Sequence, residues 1–381
     1  MKKIFSLLFL TVLLVSCNNY NADFIIHNAK IYTVNENFDV ASAVVVKGGK
    51  IIAVGQEDLV GQFNAPAVLD LKGLPVYPGF IDAHCNFYQL GMTQEQVDLR
   101  GSKSLEELIA RIKKHQAEVN DDVILGRGWD QNLWEEKVFP TKEVLDQAFP
   151  GKLVILERVD GHAAYVSSAV LEKANITAEA KVEGGEVILV DGVPSGVLID
   201  KASDLAYAIL PEPSTDKKIR GLKKAEELSF KYGLTTVDDA GLNRDVLELI
   251  DSLHKTEDLK IRVYGMISNN EENLAYYLDK GITQTDKLTI RSVKVYADGA
   301  LGSRGAALKK PYSDAENNKG LFLTSPEEIE RLAYLLADKG FQMNTHAIGD
   351  AANQVVLYAY QKALAISPDP RWRVEHAQVV E

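Results

Sequence analysis

The sequence predicts an α/β fold with a parallel sheet of the kind that curls into a barrel, on three observations. From residue 234 onward, the extended runs LTTVDDAG, IRVYGMI, RSVKVYADG, FQMNTHAIG and WRVEHAQ alternate with helical patterns. Strands that alternate with helices pair in parallel, because each crossover helix carries the chain back to the same end of the sheet. Polar residues also gather at the C-terminal ends of these runs, where barrel enzymes place their chemistry. Finally, shorter β-rich runs over 23–76 mark a separate small β-unit ahead of the barrel.

The first element is a targeting segment over 1–17. Lys2 and Lys3 precede an apolar run over 4–15, too short to span a bilayer as a mature helix. Leu14-Val15-Ser16-Cys17 follows and resembles the lipobox of bacterial lipoproteins. That resemblance implies cleavage before Cys17, acylation of Cys17, and an exported lipoprotein of the cell envelope held to a membrane by its lipid. The competing reading is an ordinary secretory signal with an incidental cysteine. Cys17 and Cys85 are the only cysteines, so an acylated Cys17 leaves no intramolecular disulfide. Residues 18–22 (NNYNA) read as a polar tether.

The 381 residues suffice for a large core, and 46% apolar with 25% charged residues is ordinary for a globular chain. A formal net charge of −12 argues against nucleic acid as a partner. It leaves a small-molecule substrate and self-association open.

Residues 23–76 read as a small antiparallel β-unit, part of a β-sandwich, with a hairpin at Gly48-Gly49. Residues 77–381 read as the barrel region, interrupted by an insertion at about 100–233 that carries a substrate pocket. Within it, Ser104 and Glu107 form a capping box for a helix at about 104–119, and a second helix covers about 215–232. Farther on, Ser325, Pro326, Glu328 and Gly340 punctuate a helix over 326–339, and Asp350 is read as the cap of the next.

The chemistry-bearing residues stand at strand ends. GFIDAHCN ends in His84 and Asn86, RSVKVYADG contains Lys294, and QMNTHAIGD and RWRVEHAQ carry His346 and His376. Residues two apart on a strand share a face, so His84 and Asn86 are expected to point together and Cys85 away.

PGFIDAHCN, VKVYADGALGSRGAAL, THAIGDAAN and EHAQ, in this order, resemble the metal-dependent amidohydrolase superfamily. WDQNLW and DGHAAYVSS are similar to its amidohydrolase 3 branch, the group of N-substituted formamide deformylase. The resemblance runs from about Asp23 to Glu381. It implies a TIM-like (β/α)₈ barrel with one or two divalent metals, zinc by donor type, at the strand C-termini. Carried over residue by residue, the metal ligands are His84, Asn86, Lys294 (in carboxylated form), His346 and His376. Lys294 and His346 would also serve catalysis. Trp129, His162, Asp298 and Arg304 are the candidate substrate contacts. The implied reaction is hydrolysis of a C–N bond in a non-peptide amide, such as an N-acyl or N-formyl amine, with a cyclic amide as runner-up.

Two departures from the family pattern stand out. Asn86 replaces the second histidine of an HxH pair, and a neutral amide oxygen is a poor zinc ligand. Only six of the family's eight strand–helix units are expected here, so the aspartate ligand that follows the eighth strand has no counterpart. The expected fold is therefore an incomplete barrel with a gap between the strand of His84 and that of His376, aggregation-prone as an isolated chain. The rival functional reading is a non-catalytic or decayed family member. His27, His115 and His254 are read as surface or structural residues.

Overall fold

The computed structural model describes residues 21–182, 185–301, 304–366 and 371–381. The expected signal segment with Cys17, most of the tether, Gly184 and Gly302 lie outside them. Among the described residues no helix is long and apolar enough to cross a membrane. The described residues divide into two compact units, one up to residue 80 and the other from residue 81 onward.

The first unit holds two small sheets. One has four strands in the order Lys50–Gly55, Ala43–Lys47, Phe24–His27, Ala67–Asp70; the other has three, in the order Val40–Ala41, Lys30–Tyr32, Pro75–Val76. Gly48 and Gly49 adopt φ values of +57° and +70° and turn the expected hairpin, a conformation that glycine enters without a Cβ penalty. The unit is not wholly antiparallel. Phe24–His27 pairs in parallel with Ala67–Asp70, and Lys30–Tyr32 in parallel with Pro75–Val76. Ala43, Val45 and Ile25 are its most deeply buried apolar residues, whereas Ile51, Ile52, Val68 and Leu69 are exposed.

The second unit is organised around six parallel strands: β1 (Phe80–Cys85), β2 (Leu234–Leu242), β3 (Arg262–Ser268), β4 (Leu288–Tyr296), β5 (Gln342–Ala347) and β6 (Arg373–His376). They lie side by side in chain order, with β1 and β6 at the two ends. Helices follow in the barrel rhythm: α1 (Phe87–Gln94), α2 (Thr215–Lys231), α3 (Arg244–Lys255), α4 (Glu271–Lys280), α5 (Pro326–Asp338) and α6 (Asp350–Ala363). This is a six-stranded, nearly closed arc of a TIM-like barrel. Val237, Val263, Val293 and Met343 of the strands pack with Leu247, Ile250, Leu332 and Val356 of the helices in one continuous core. Burial of this outer face supplies the main drive to fold.

Helix punctuation follows the sequence closely. Ser325 Oγ accepts from Glu328 N at 3.2 Å, with Pro326 in the first turn. Ser104 caps Leu105–Val119, but Glu107 reaches back to Lys103 N rather than to the cap residue itself. Asp350 is not the cap of α6. Gly349 takes that place, and Asp350, now the first helical residue, accepts from Lys309 N at 2.9 Å.

Between α1 and α2 the chain builds a second sheet, in the order Gly185–Val190, Val193–Asp200, Ala163–Val166, Leu153–Arg158, Val123–Trp129, Val97–Asp98. It has its own core around Trp129, Leu156 and Tyr165. The helix at 215–231 belongs with the barrel ring instead. Leu222 and Ala225 join the barrel core beside Phe87, and a Cβ on Gly91 of α1 would lie 2.4 Å from Gly221 O of α2. Glycine at both positions permits this backbone-to-backbone crossing.

Candidate metal centre

Four strands deliver four of the expected ligands to one place. The His84 and His376 rings have centroids 4.8 Å apart, and those of His346 and His376 are 4.7 Å apart. Lys294 Nζ lies 3.5 Å from His84 Nε2. His84 is the last residue but one of β1, His346 the last but one of β5, and His376 ends β6, so the parallel arrangement alone carries them to the same rim. The sheet is open between β1 and β6, yet their side chains meet across the lumen: His84 Nδ1 is 2.6 Å from Glu375 Oε2.

Glu375 and His376 are consecutive, and on a regular strand they would face opposite ways. His376 adopts φ +74° and Ala377 φ +41°. A non-glycine residue in this region is uncommon and strained, and such strain collects at functional sites. Here the left-handed turn brings the His376 ring back toward the lumen that Glu375 already faces. Ala377 N, donating to Ala347 O at 3.1 Å, pins the turn to β5.

The electrostatics favour uncharged nitrogen donors. Lys294 is 2% exposed, and burial pulls its pKa down to about 8 against an opposing pull from Glu375. Partial desolvation, then the nearby His346, His84 and Lys294, lower the pKa of His376. Three imidazoles and a lysine that surrenders its charge readily are donor types that fit a divalent ion. The fit is chemical rather than a finished coordination sphere. Among the described residues, no three His, Cys, Asp or Glu side chains converge closely enough to hold an ion as they stand.

Asn86 lies just past the end of β1. The strand stops at Cys85, and Asn86, with φ −124° and ψ 70°, becomes the N-cap residue of α1. The two-residue alternation ends there, and the exposed Asn86 side chain makes no hydrogen bond among the described residues. Cys85 packs against the outer core as expected, and burial pushes its thiol up to about 12.

The expected substrate contacts are scattered. Trp129 is fully enclosed in the core of the second sheet, donating from Nε1 to Leu156 O at 2.7 Å, and offers no surface to a ligand. Asp298 is equally inaccessible. Its Oδ2 accepts from Ala307 N and Gly349 N and its Oδ1 from Ile348 N, so it ties the loop after β4 to the turn after β5. Arg304 is exposed and paired with Asp314 at 2.9 Å. His162 is exposed, 2.7 Å from Asp200, in a cavity of about 390 Å³ lined also by Glu157 and Tyr207. That cavity shares no lining residue with the histidine cluster.

Sequence reasoning missed a charged chain inside the sheet. Arg373 donates to Glu375 Oε1 at 2.8 Å and to Asp238 Oδ2 at 2.7 Å, and Glu375 in turn meets His84. A signal was present, since two charges at an i, i+2 spacing in RWRVEHAQ place both on one face of a strand otherwise flanked by apolar residues.

Comparison with known proteins bears on this arrangement. The sequence model of the amidohydrolase family matches residues 67–381. The chain is 30% identical over 377 residues to Protein LONG AFTER FAR-RED 3 of Arabidopsis thaliana, covering 94% of this chain and 64% of that protein. It is 27% identical over 379 residues to N-substituted formamide deformylase of Arthrobacter pascens, covering 94% of this chain and 69% of that one. Among solved structures, an uncharacterized metal-dependent hydrolase from Pyrococcus furiosus superposes with a TM-score of 0.77 at 28% identity, over 94% of this chain and 73% of that one. The chain thus spans about two thirds of the length of these relatives.

Proposed function

This chain belongs to the amidohydrolase family, and from that premise we propose that its histidine cluster serves metal-dependent hydrolysis of a C–N bond in a non-peptide amide. The N-acyl and N-formyl amines are the favoured substrate class. The observation that carries the reading is the meeting of His84, Lys294, His346 and His376, from four different strands, at the C-terminal rim of the sheet. Similarity to a formamide deformylase and to a metal-dependent hydrolase supports the same chemistry.

The three imidazoles would hold the ion, zinc by donor type. Lys294, once uncharged, can add carbon dioxide at Nζ with release of a proton, and the resulting carbamate is anionic and fit to join them. A divalent metal at this place supplies Lewis-acid polarisation of the substrate carbonyl and activation of water near neutral pH. The chain's own part is to aim the imidazoles and to keep Lys294 shielded from solvent. His346 Nε2 lies 3.3 Å from Gly299 O and 3.6 Å from Asp298 Oδ1, which orients its ring. Asn86 offers a neutral amide oxygen where the family pattern carries a second histidine; this favours one ion over two and supports the rival, non-catalytic reading.

The test is zinc titration of the metal-free protein by calorimetry, followed by hydrolysis assays on an N-formyl amine and a cyclic amide. Roughly one zinc per chain is expected, with affinity reduced at least about 10-fold in His376→Ala. Absence of zinc binding in the wild type removes the proposal. Zinc binding without turnover of either amide leaves the binding role alone.

The N-terminal reading accompanies this one as a proposal. Acylation at Cys17 would hold the chain at a membrane of the cell envelope, and the motif Leu14-Val15-Ser16-Cys17 supports it. Cys17→Ser is expected to shift the expressed chain into the soluble fraction or to leave it unprocessed. Unchanged membrane fractionation and unchanged processing would refute the anchor.

A further inference from the structure

We infer that Glu375 is a positioning residue: it holds His84 in the tautomer that carries its proton on Nδ1, so that the Nε2 lone pair faces Lys294. The inference rests on the metal-site reading for its purpose, though not for its physics.

Two contacts on opposite sides of the His84 ring demand the same tautomer. On one side, Glu375 Oε2 lies 2.6 Å from Nδ1. An ionised carboxylate only accepts, so the proton between them belongs to Nδ1. On the other side, Lys294 Nζ lies 3.5 Å from Nε2, at the outer limit of a hydrogen bond. While it keeps its proton, Lys294 only donates, so Nε2 then offers its lone pair. A proton on Nε2 would point at the Lys294 charge, and a bare Nδ1 would point at the Glu375 carboxylate; both are repulsive.

Glu375 is itself well fixed. Its side chain is 8% exposed, and its second oxygen accepts from Arg373 Nε at 2.8 Å. Arg373 is anchored by Asp238 at 2.7 Å and lies over the Tyr264 ring, 5.7 Å from its centroid. The guanidinium therefore claims Oε1 and leaves Oε2 for His84. The chain Asp238–Arg373–Glu375–His84 runs from β2 through β6 to β1. A histidine whose far nitrogen is fixed by a carboxylate is both a better-oriented and a more basic ligand.

This arrangement yields a sharp expectation for Glu375→Gln. Arg373 Nε still needs an acceptor, so the amide oxygen of the new side chain goes to Arg373. Its NH₂ group then faces His84 Nδ1 and forces that nitrogen to accept. His84 should switch to the Nε2–H tautomer, with its lone pair turned toward the new amide and away from Lys294. Loss of packing alone would not move a proton from one ring nitrogen to the other.

The experiment is ¹⁵N NMR of histidine-labelled protein, metal-free, with His84 assigned by the loss of its signals in His84→Gln. The expected result is an Nδ1–H tautomer in the wild type, an Nε2–H tautomer in Glu375→Gln, and return toward Nδ1–H in Glu375→Asp. Zinc affinity, read separately by calorimetry, should fall about 10- to 100-fold in Glu375→Gln. An Nε2–H tautomer or a doubly protonated ring in the wild type overturns the inference even when no variant folds. An unchanged tautomer in folded Glu375→Gln overturns it as well. Because the tautomer is read without metal, failure of zinc binding in the wild type counts against the metal proposal and leaves this result standing.

Discussion

Asp298→Ala is expected to destabilise the barrel unit by roughly 3–5 kcal/mol, the largest loss anticipated for any single polar side chain here. Asp298 is fully buried and accepts three backbone N–H groups, from Ala307 at 2.8 Å, Ile348 at 2.9 Å and Gly349 at 2.8 Å. Truncation leaves three buried donors with no acceptor, each costing about 1–3 kcal/mol before relaxation. The loop can move and water can enter, so the sum is not fully realised. Asp298→Asn should fall between, since one amide oxygen can serve two donors while its NH₂ group opposes the third. The check is urea unfolding of all three proteins at one pH. An unfolding free energy for Asp298→Ala within about 0.5 kcal/mol of wild type would show that the loop after β4 is not held by this carboxylate.

That residue also shows why a motif can be recognised and its role misjudged. In ADGALGSR the acid stands at the end of a barrel strand, where substrate contacts are commonly found. What decides its role is the identity of the donors around it, Ile348 and Gly349, which lie some fifty positions away in sequence. Local pattern does not carry that information.

The histidine cluster was legible because strand-end position depends on local periodicity. His84, Lys294, His346 and His376 each sit within a run whose extended nature can be read from β-branched and apolar residues. The errors came where that periodicity breaks. Asn86 was paired with His84 on the assumption that the strand continues, whereas β1 stops at Cys85 and α1 starts at Phe87. Two-residue alternation puts Glu375 opposite His376, and the positive φ of His376 abolishes that alternation. Trp129 was drawn toward the substrate by the WDQNLW motif, while its burial depends on Leu156 and Tyr165 of neighbouring strands. In the first unit, run length and alternation indicated strands correctly. Parallel pairing of Phe24–His27 with Ala67–Asp70 depends on the long connection over 28–66, which periodicity cannot see.

The pH response of the barrel unit should be dominated in one window by a second buried acid, Asp239. It lies next to Asp238 on β2 but faces outward, 2% exposed, beneath the start of α1. Burial raises its pKa from 3.8 to about 7, and hydrogen bonds from the Tyr88 and Ala240 N–H groups only partly offset this. The sign follows from proton counting. Below the unfolded value both states hold the proton and Asp239 contributes nothing. Between there and about 7 the folded state holds a proton that the unfolded state has lost, so stability falls as pH rises. Above about 7 both are ionised and the full penalty is present. Some three units correspond to about 4 kcal/mol, an order-of-magnitude figure. Asp239→Asn keeps an oxygen acceptor for Tyr88 N, which donates to Asp239 Oδ2 at 2.7 Å, and removes the ionisation. Its intrinsic cost is independent of pH, so the slope of the difference is the readout. Unfolding free energies of both proteins, measured from pH 4.5 to pH 8, are expected to diverge in favour of the variant up to about pH 7 and then run parallel. All other titrating groups are common to the two proteins and cancel. A difference that stays flat across that window would mean that Asp239 ionises at its ordinary value in the folded chain, with the N-terminal N–H groups of α1 fully compensating its burial.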